Sequence, residues 1–172
     1  MSEIQEKTYS DFVLPANIVS KVDLARMISD LERVDNELTE IEVRKKAGAK
    51  TDPNLTMSDQ LAEFLDQNKL DIHDDHERSR LIKQLHVLKE HVPVIHVTFS
   101  APADPESLQE IAHWMRQSVH PQVVISAGLQ PSLIAGVYLR TPNKVHDLSL
   151  RTKLRQSSGL LVKELEALRG TN

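Results

Sequence analysis

The stretch that decides how this chain folds covers residues 130–154 and reads QPSLIAGVYLRTPNKVHDLSLRTKL. Residues 137–140, VYLR, alternate between two sets of side chains, and a period of two residues is typical of a strand with one buried face. Residues 141–144, TPNK, predict a turn, because proline fixes φ and asparagine tolerates a positive φ. A second short strand is expected over 145–149, so the stretch predicts a β-hairpin.

The same stretch carries most of the basic side chains in this half of the chain. Between Gly136 and Arg155 there are five Lys or Arg residues and a single acid, Asp147. One interpretation is an ion pair of Asp147 with Arg140 or Arg151 that holds the hairpin to a following helix. The other is a polar rim presented to a partner helix, and the two are compatible if Asp147 orients arginines whose remaining donors stay free. The candidate interface or signature residues are Arg140, Lys144, Asp147, Ser149, Arg151, Lys153 and Arg155.

The hairpin is preceded by a strand–helix–strand pattern and followed by a helix. Apolar residues alternate with other side chains over 94–99, Asp104 followed by proline is a strong helix start, and an apolar run at 123–125 predicts a second strand. A unit of this length implies a right-handed crossover and parallel pairing. Ser149 is a plausible cap for a last helix over about 149–168. Residues 92–172 are therefore expected to form a small mixed-sheet β-α-β-hairpin-α domain.

The hairpin stretch resembles the C-terminal signature of the delta subunit of F-type ATP synthases, the oligomycin-sensitivity-conferring protein family. The matching positions keep their spacing and are Pro131, Ser132, Leu133, Ile134, Gly136, Arg140, Val145, Asp147, Ser149, Arg151, Lys153 and Leu154. Three positions depart from the family pattern: Gln130 replaces an aspartate, Ala135 a glycine and Leu148 a small residue. A looser resemblance extends back to about Val92.

The resemblance implies a non-catalytic stator subunit. In that family the C-terminal domain binds the ends of the peripheral stalk, formed by b-type subunits, and a helical N-terminal domain binds alpha subunits at the crown of the catalytic head. The subunit keeps the head from turning with the rotor, so that torque is used for ATP synthesis. The implied location is peripheral, on the cytoplasmic face of the plasma membrane, and membrane contact is indirect through the complex.

Residues 1–91 are expected to be a helical region. A helix over 22–46 carries a heptad seam, which indicates either one helix of a small bundle or a two-stranded coiled coil with a partner. Its seam residues are Leu24, Met27, Leu31, Val34, Leu38 and Ile41. Thr56 is the expected cap of a second helix, and Asp74 or Asp75 that of a third. Residues 1–20 fit either an extended arm or a short helix. The family usually has six helices in this part, so the resemblance does not extend here.

Composition excludes several classes of function. The net charge of −4 divides unevenly, with −6 over residues 1–90 and +2 over residues 91–172. This excess of positive charge in the second half is too small for a nucleic-acid binder, which usually has a strongly basic face. There are no cysteines, and the five glycines are scattered, so neither a thiolate metal site nor a phosphate-binding loop is expected. The N-terminus does not read as a signal peptide, and the longest apolar runs are too short to span a bilayer. We expect no cofactor and no metal.

Two other functions are compatible with the sequence. The first is a free-standing adaptor that uses the α/β domain to bind an unrelated helix. The second is a histidine- or metal-dependent hydrolase that uses residues 73–76, HDDH, since positions three apart share a helix face. The simpler interpretation of that cluster is an acidic helix start favoured by the helix dipole.

Overall fold

The structure is a computed structural model, and it describes residues 8–48, 55–133, 135–141 and 144–147. A 3-10 turn at Tyr9–Asp11 precedes four helices and four strands in the described residues. In chain order they are α1 (Lys21–Lys46), α2 (Asp59–Asn68), α3 (Asp75–His91), β1 (Val94–Phe99), α4 (Pro105–Ser118), β2 (Val124–Leu129), β3 (Val137–Arg140) and β4 (Val145–Asp147). The predicted order of helices followed by a small mixed sheet with one helix inserted is confirmed. The predicted last helix lies outside the described residues.

The chain divides into two compact units. The helical unit is Met1–Pro93 with Leu108–Val124, and the sheet unit is Val94–Ser107 with Ile125–Asn172. Most of α4 therefore groups with the N-terminal helices. The sequence predicts a domain boundary between residues 91 and 92, with each side able to fold alone. The division into compact units does not test independent folding, so this boundary stays a prediction.

Helix α1 begins where its sequence provides a reciprocal cap. The hydroxyl of Ser20 accepts a hydrogen bond from the backbone N–H of Asp23, and the Asp23 carboxylate accepts one from the backbone N–H of Ser20. The first four seam residues are fully buried, whereas Leu38 and Ile41 are half-buried. The seam therefore packs inside the chain over its first two thirds, as in a bundle helix.

Helices α2 and α3 complete the core of the helical unit. The cap of α2 is Ser58, so the prediction of Thr56 was wrong. Ser58 accepts from the N–H of Leu61, and its own N–H donates to Asp30 of α1 at 2.8 Å, which fixes where the helix begins. Asp74 caps α3, as predicted. The side chains buried by these two helices include Leu61, Phe64, Leu81, Leu85 and Leu88.

Residues 12–20 form an extended arm after the 3-10 turn, so in the described part of residues 1–20 the extended conformation is the one found. Three apolar side chains anchor the arm in the core: Phe12, Leu14 and Ile18. The backbone of Val13 is held by Asn68 of α2, whose side-chain oxygen accepts from the Val13 N–H and whose amide donates to the Val13 carbonyl, both at 2.9 Å. Asn68 is 1% exposed, so these bonds are shielded from water.

Arg116 of α4 binds the same arm. Its guanidinium donates to the carbonyl oxygens of Val123 (3.1 Å), Leu14 (3.2 Å), Pro15 (2.7 Å) and Ile18. Burial lowers the pKa of Arg116. The Pro15 carbonyl also accepts from the Ile18 N–H at 3.1 Å, and the arginine adds a donor for the carbonyls of Leu14 and Ile18 in the same buried arm.

The sheet has the strand order β2-β1-β3-β4. Strand β3 pairs antiparallel with both β1 and β4. The backbone N–H groups of Val124 and Gln130 donate to the carbonyls of Pro93 and Phe99, an equal offset at both ends that indicates parallel pairing of β1 and β2, as predicted. Strand β2 extends past the predicted 123–125 to Leu129. Val119, which follows the end of α4 at Ser118, is 58% exposed.

Candidate functional site

The register of the sheet separates its side chains into two faces. In the pairing of β1 with β3, His96 lies opposite Arg140 and Thr98 opposite Tyr138, and in the pairing of β3 with β4, Asp147 lies opposite Tyr138. Side chains of directly paired residues point to the same side of a sheet. The parallel pairing adds Ser126 beside His96. The resulting set, here called the polar face, is His96, Thr98, Ser126, Tyr138, Arg140, Val145 and Asp147.

The opposite face is apolar and supplies the core of the sheet unit. Ile95, Val97 and Ile125 are at most 4% exposed, and Val137 and Leu139 are half-buried. Gly128 lies on the polar side next to Thr98, where an added Cβ would be 3.6 Å from the threonine hydroxyl oxygen. That contact supports the register derived for β2. The polar face is thus the side of the sheet that is not needed for the core.

Arg140 differs from the other arginines that the structure describes. The other six each form an ion pair or hydrogen bond within the chain, and they are Arg26, Arg33, Arg44, Arg78, Arg80 and Arg116. Arg140 is exposed and forms neither with any residue in the described ranges. Its five N–H donors are therefore available to a group from outside the chain.

His96 shares this property. It is exposed, and within the described part of the chain its ring makes no hydrogen bond or ion pair. His96 is not among the site residues predicted from the sequence. The alternation over 94–99 does predict that His96 points away from the core. That it lies opposite Arg140, 44 positions further along the chain, follows only from the pairing of β1 with β3.

The hairpin places three of the seven predicted site residues. Arg140 and Asp147 are diagonal neighbours on the polar face, and Lys144 lies at the base of the turn. The turn is closed by hydrogen bonds between the backbone N–H of Thr141 and the Lys144 carbonyl, and between the Lys144 N–H and the Thr141 hydroxyl. The other four predicted residues, Ser149, Arg151, Lys153 and Arg155, lie outside the described residues.

The apolar surface next to Arg140 is not the one that the hairpin sequence suggests. Val137 and Leu139 point to the opposite face, because they alternate with Arg140 along β3. The apolar neighbours on the polar face are the half-buried ring of Tyr138 and the side chain of Val145, which is 52% exposed. A partner that covers Arg140 would therefore contact these two side chains.

The HDDH cluster at 73–76 builds the start of α3. The carboxylate of Asp74 accepts from the backbone N–H of Glu77 at 3.0 Å, and this bond lowers the pKa of Asp74. Asp75 pairs with the buried guanidinium of Arg78 at 3.2 Å. In the ranges that the structure describes, no three His, Cys, Asp or Glu residues are placed to hold a metal ion. The arrangement fits the helix-start interpretation.

The model of the family described as ATP synthase delta (OSCP) subunit matches residues 76–161. A search of curated proteins found no match. The matched segment runs from the first turn of α3 past the end of β4, so it contains the whole polar face.

Proposed function

Because this chain belongs to the ATP synthase delta (OSCP) subunit family, we propose that it is the stator subunit that links the catalytic head to the peripheral stalk and resists rotor torque during ATP synthesis. Subunits of this family are non-catalytic parts of the F-type ATP synthase, and membership implies a stator role. The proposed partners are the b-type stalk subunits and the alpha subunits of the head.

The observation that carries the proposal is the family match, which encloses an exposed polar face. A stator subunit has to bind and has no reaction to catalyse. The sheet unit offers a surface on which Arg140 and His96 have no partner among the described residues and lie beside exposed apolar area, and protein interfaces combine such features. We assign the stalk contact to this face. Arg140 and Asp147 belong to it, and Lys144 lies at its edge.

For the head contact we propose the groove between α1 and α3. This groove has a volume of about 420 Å³ and is lined by Glu32, Asp35, Asn36, Ser79, Ile82 and Lys83. Ile82 is the one apolar residue of this lining, so a head segment bound here would be held mainly by polar and charged contacts.

The proposed location is peripheral, at the cytoplasmic face of the plasma membrane, within the ATP synthase complex. Among the helices that the structure describes, none is both long and apolar enough to cross a bilayer. Family membership implies association with a membrane complex, and the contact would be made through the stalk.

Depletion from the native membrane tests the function. A stator subunit should co-purify with stalk and head subunits, and its loss should abolish ATP synthesis while the released head still hydrolyses ATP. An adaptor would co-purify with other proteins and leave synthesis intact. A hydrolase would retain activity as the isolated protein. Normal coupled synthesis after complete depletion would contradict the proposal.

A further inference from the structure

We propose that His96 and Arg140 together receive a carboxylate of the stalk partner, and that His96 makes this contact dependent on pH. The inference rests on the proposed function and goes beyond it, because it assigns a role to a residue outside the hairpin and states the chemistry of the partner side chain. The partner segment is amphipathic and presents an aspartate or glutamate to the polar face.

The two side chains are placed to act on one group. Directly opposed residues of an antiparallel pair have Cβ atoms about 4.5–5.5 Å apart, so a single carboxylate can reach both an imidazole and a guanidinium. Both residues are exposed, and neither has a partner among the described residues. The hydroxyl groups of Thr98, Ser126 and Tyr138 lie on the same face and can donate to the second carboxylate oxygen.

The groups that face His96 favour an anion. From β2 it faces Ser126 and Gly128, and from β3 it faces Arg140 with Tyr138 on the diagonal. Its neighbours on β1 are Val94 and Thr98. The acid nearest to this group within the described residues is Asp147, which pairs with Tyr138 and is diagonal to Arg140. No carboxylate therefore lies directly opposite either His96 or Arg140.

Burial of Arg140 by a partner requires a countercharge. Removing a guanidinium from water without a paired acceptor is strongly unfavourable. A partner that covers Tyr138 and Val145 also covers Arg140, and an acidic side chain on the partner would supply the countercharge directly. An apolar or basic partner surface would be rejected by the same cost.

Protonation of His96 adds a second positive charge to the pair. Histidine is the side chain that changes charge between about pH 5 and 8. With a carboxylate in place, the protonated imidazole contributes a charge-assisted hydrogen bond that the neutral ring lacks. Binding should therefore strengthen as the pH falls from 8 to 6.

The test is surface plasmon resonance of the full chain against the immobilised membrane-free segment of the stalk subunit from the same organism, at pH 8 and pH 6. Arg140→Gln should raise Kd about tenfold or more, the loss expected for a hydrogen bond between charged groups. His96→Gln should abolish the difference between the two pH values. The double variant should lose less than the two single effects combined, because both residues bind the same group.

Two matched controls come from the chain itself. His146 is exposed on the opposite face of the same sheet, so His146→Gln should keep the wild-type pH dependence. Arg44 is exposed on α1 and pairs with Glu40, so Arg44→Gln should keep the wild-type Kd. Thermal melts of all variants establish that the fold is retained.

The outcomes separate the inference from the function on which it rests. If the wild-type chain does not bind the stalk segment, the proposed stalk contact fails, and the inference with it. If the wild type binds but Arg140→Gln and His96→Gln bind equally well at both pH values, the stalk contact stands and the carboxylate site is refuted. Equal loss of pH dependence in His96→Gln and His146→Gln would also overturn it.

Discussion

Replacement of Arg116 tests how the N-terminal arm is held. The guanidinium donates to four carbonyl oxygens, three of them in the arm at Leu14, Pro15 and Ile18. Arg116→Met keeps much of the apolar stem of the side chain and removes every donor. The carbonyl groups then lose their partner in a half-buried position, and the arm loses its link to α4.

The expected cost follows from the number of bonds and their exposure. A hydrogen bond to a charged group contributes about 1.5–3 kcal/mol, so four at the low end give about 6 kcal/mol. Water can replace some of these bonds, and the guanidinium no longer has to be desolvated, so we expect a net loss of about 3–4 kcal/mol. Against a typical unfolding free energy of about 5–15 kcal/mol, that is a large fraction. Arg116→Lys keeps the charge without the planar fork, and it should lose about half as much.

Urea melts followed by circular dichroism measure the global effect, and amide hydrogen exchange over residues 8–18 measures the local one. Arg44→Met is the control, because its exposed ion pair with Glu40 should contribute less than about 1 kcal/mol. The reasoning would be refuted if the unfolding free energy of Arg116→Met were within about 1 kcal/mol of the wild type and amide exchange in the arm were unchanged. The apolar side chains would then hold the arm, and the four hydrogen bonds of Arg116 would contribute little to stability.

Three further predictions use other parts of the molecule. Asn68→Ala removes both side-chain bonds to the Val13 backbone and should destabilise the chain by about 2–3 kcal/mol in urea melts. Asn68→Asp should not recover this loss, because its buried carboxylate would face the carbonyl oxygens of Val13 and Phe64. Burial by itself would raise the pKa of Asp30, but hydrogen bonds from Ser58 and Arg33 lower it, so its contribution to stability is present above the unfolded pKa of about 3.9 and is lost as the pH falls through the folded pKa. The Tm difference between wild type and Asp30→Asn should therefore shrink as the pH is lowered below about 4, and a constant difference would contradict the assignment. The isolated chain should show no saturable micromolar binding of ATP by calorimetry, because its scattered glycines provide no phosphate-binding loop.

Much of the fold could be predicted because local chemistry determines it. Asp74, one of the two caps predicted for α3, is its cap in the structure, and Asp104 accepts from the Ser107 backbone N–H at 2.8 Å at the predicted start of α4. The two-residue alternation in 94–99 and 137–140 predicts both strands. It also predicts which of their side chains share a face of the sheet. These signals operate within a few residues, and no distant part of the chain overrides them.

The features that were missed depend on contacts between distant positions. Ser58 rather than Thr56 caps α2 because Asp30, 28 positions earlier, holds its backbone N–H. The arm is extended because Asn68 and Arg116 satisfy its backbone groups. In the candidate site, the roles of Arg140 and Asp147 were open to interpretation from their charges alone. The pairing of Arg140 with His96 could not be read from either stretch, because periodicity gives the face of a residue and not its register.

The position of Arg140 on the sheet bears on how a stator contact resists torque. Such a contact has to persist under load, so its dissociation has to be slow. Charges at the rim of an interface mainly change association and its salt dependence, whereas charged groups desolvated at the centre mainly change dissociation. On the polar face Arg140 is the neighbour of Tyr138 along β3 and lies opposite Val145 of β4, so we expect a partner that contacts both side chains to cover it.

Lys144 has a different position. It is exposed at the base of the hairpin turn, beyond the end of β3, so it remains at the rim when the face is covered. Arg140 and Lys144 belong to one basic run in the sequence. Their different positions in the structure predict different effects on association and dissociation. We expect Arg140→Gln to raise the rate of dissociation from the stalk segment at both low and high salt. We expect Lys144→Gln to slow association at low salt and to have little effect at high salt, where Coulomb attraction is screened. If both variants changed association alone, Arg140 would be a rim residue, and the stalk contact would have to obtain its slow dissociation from apolar side chains elsewhere.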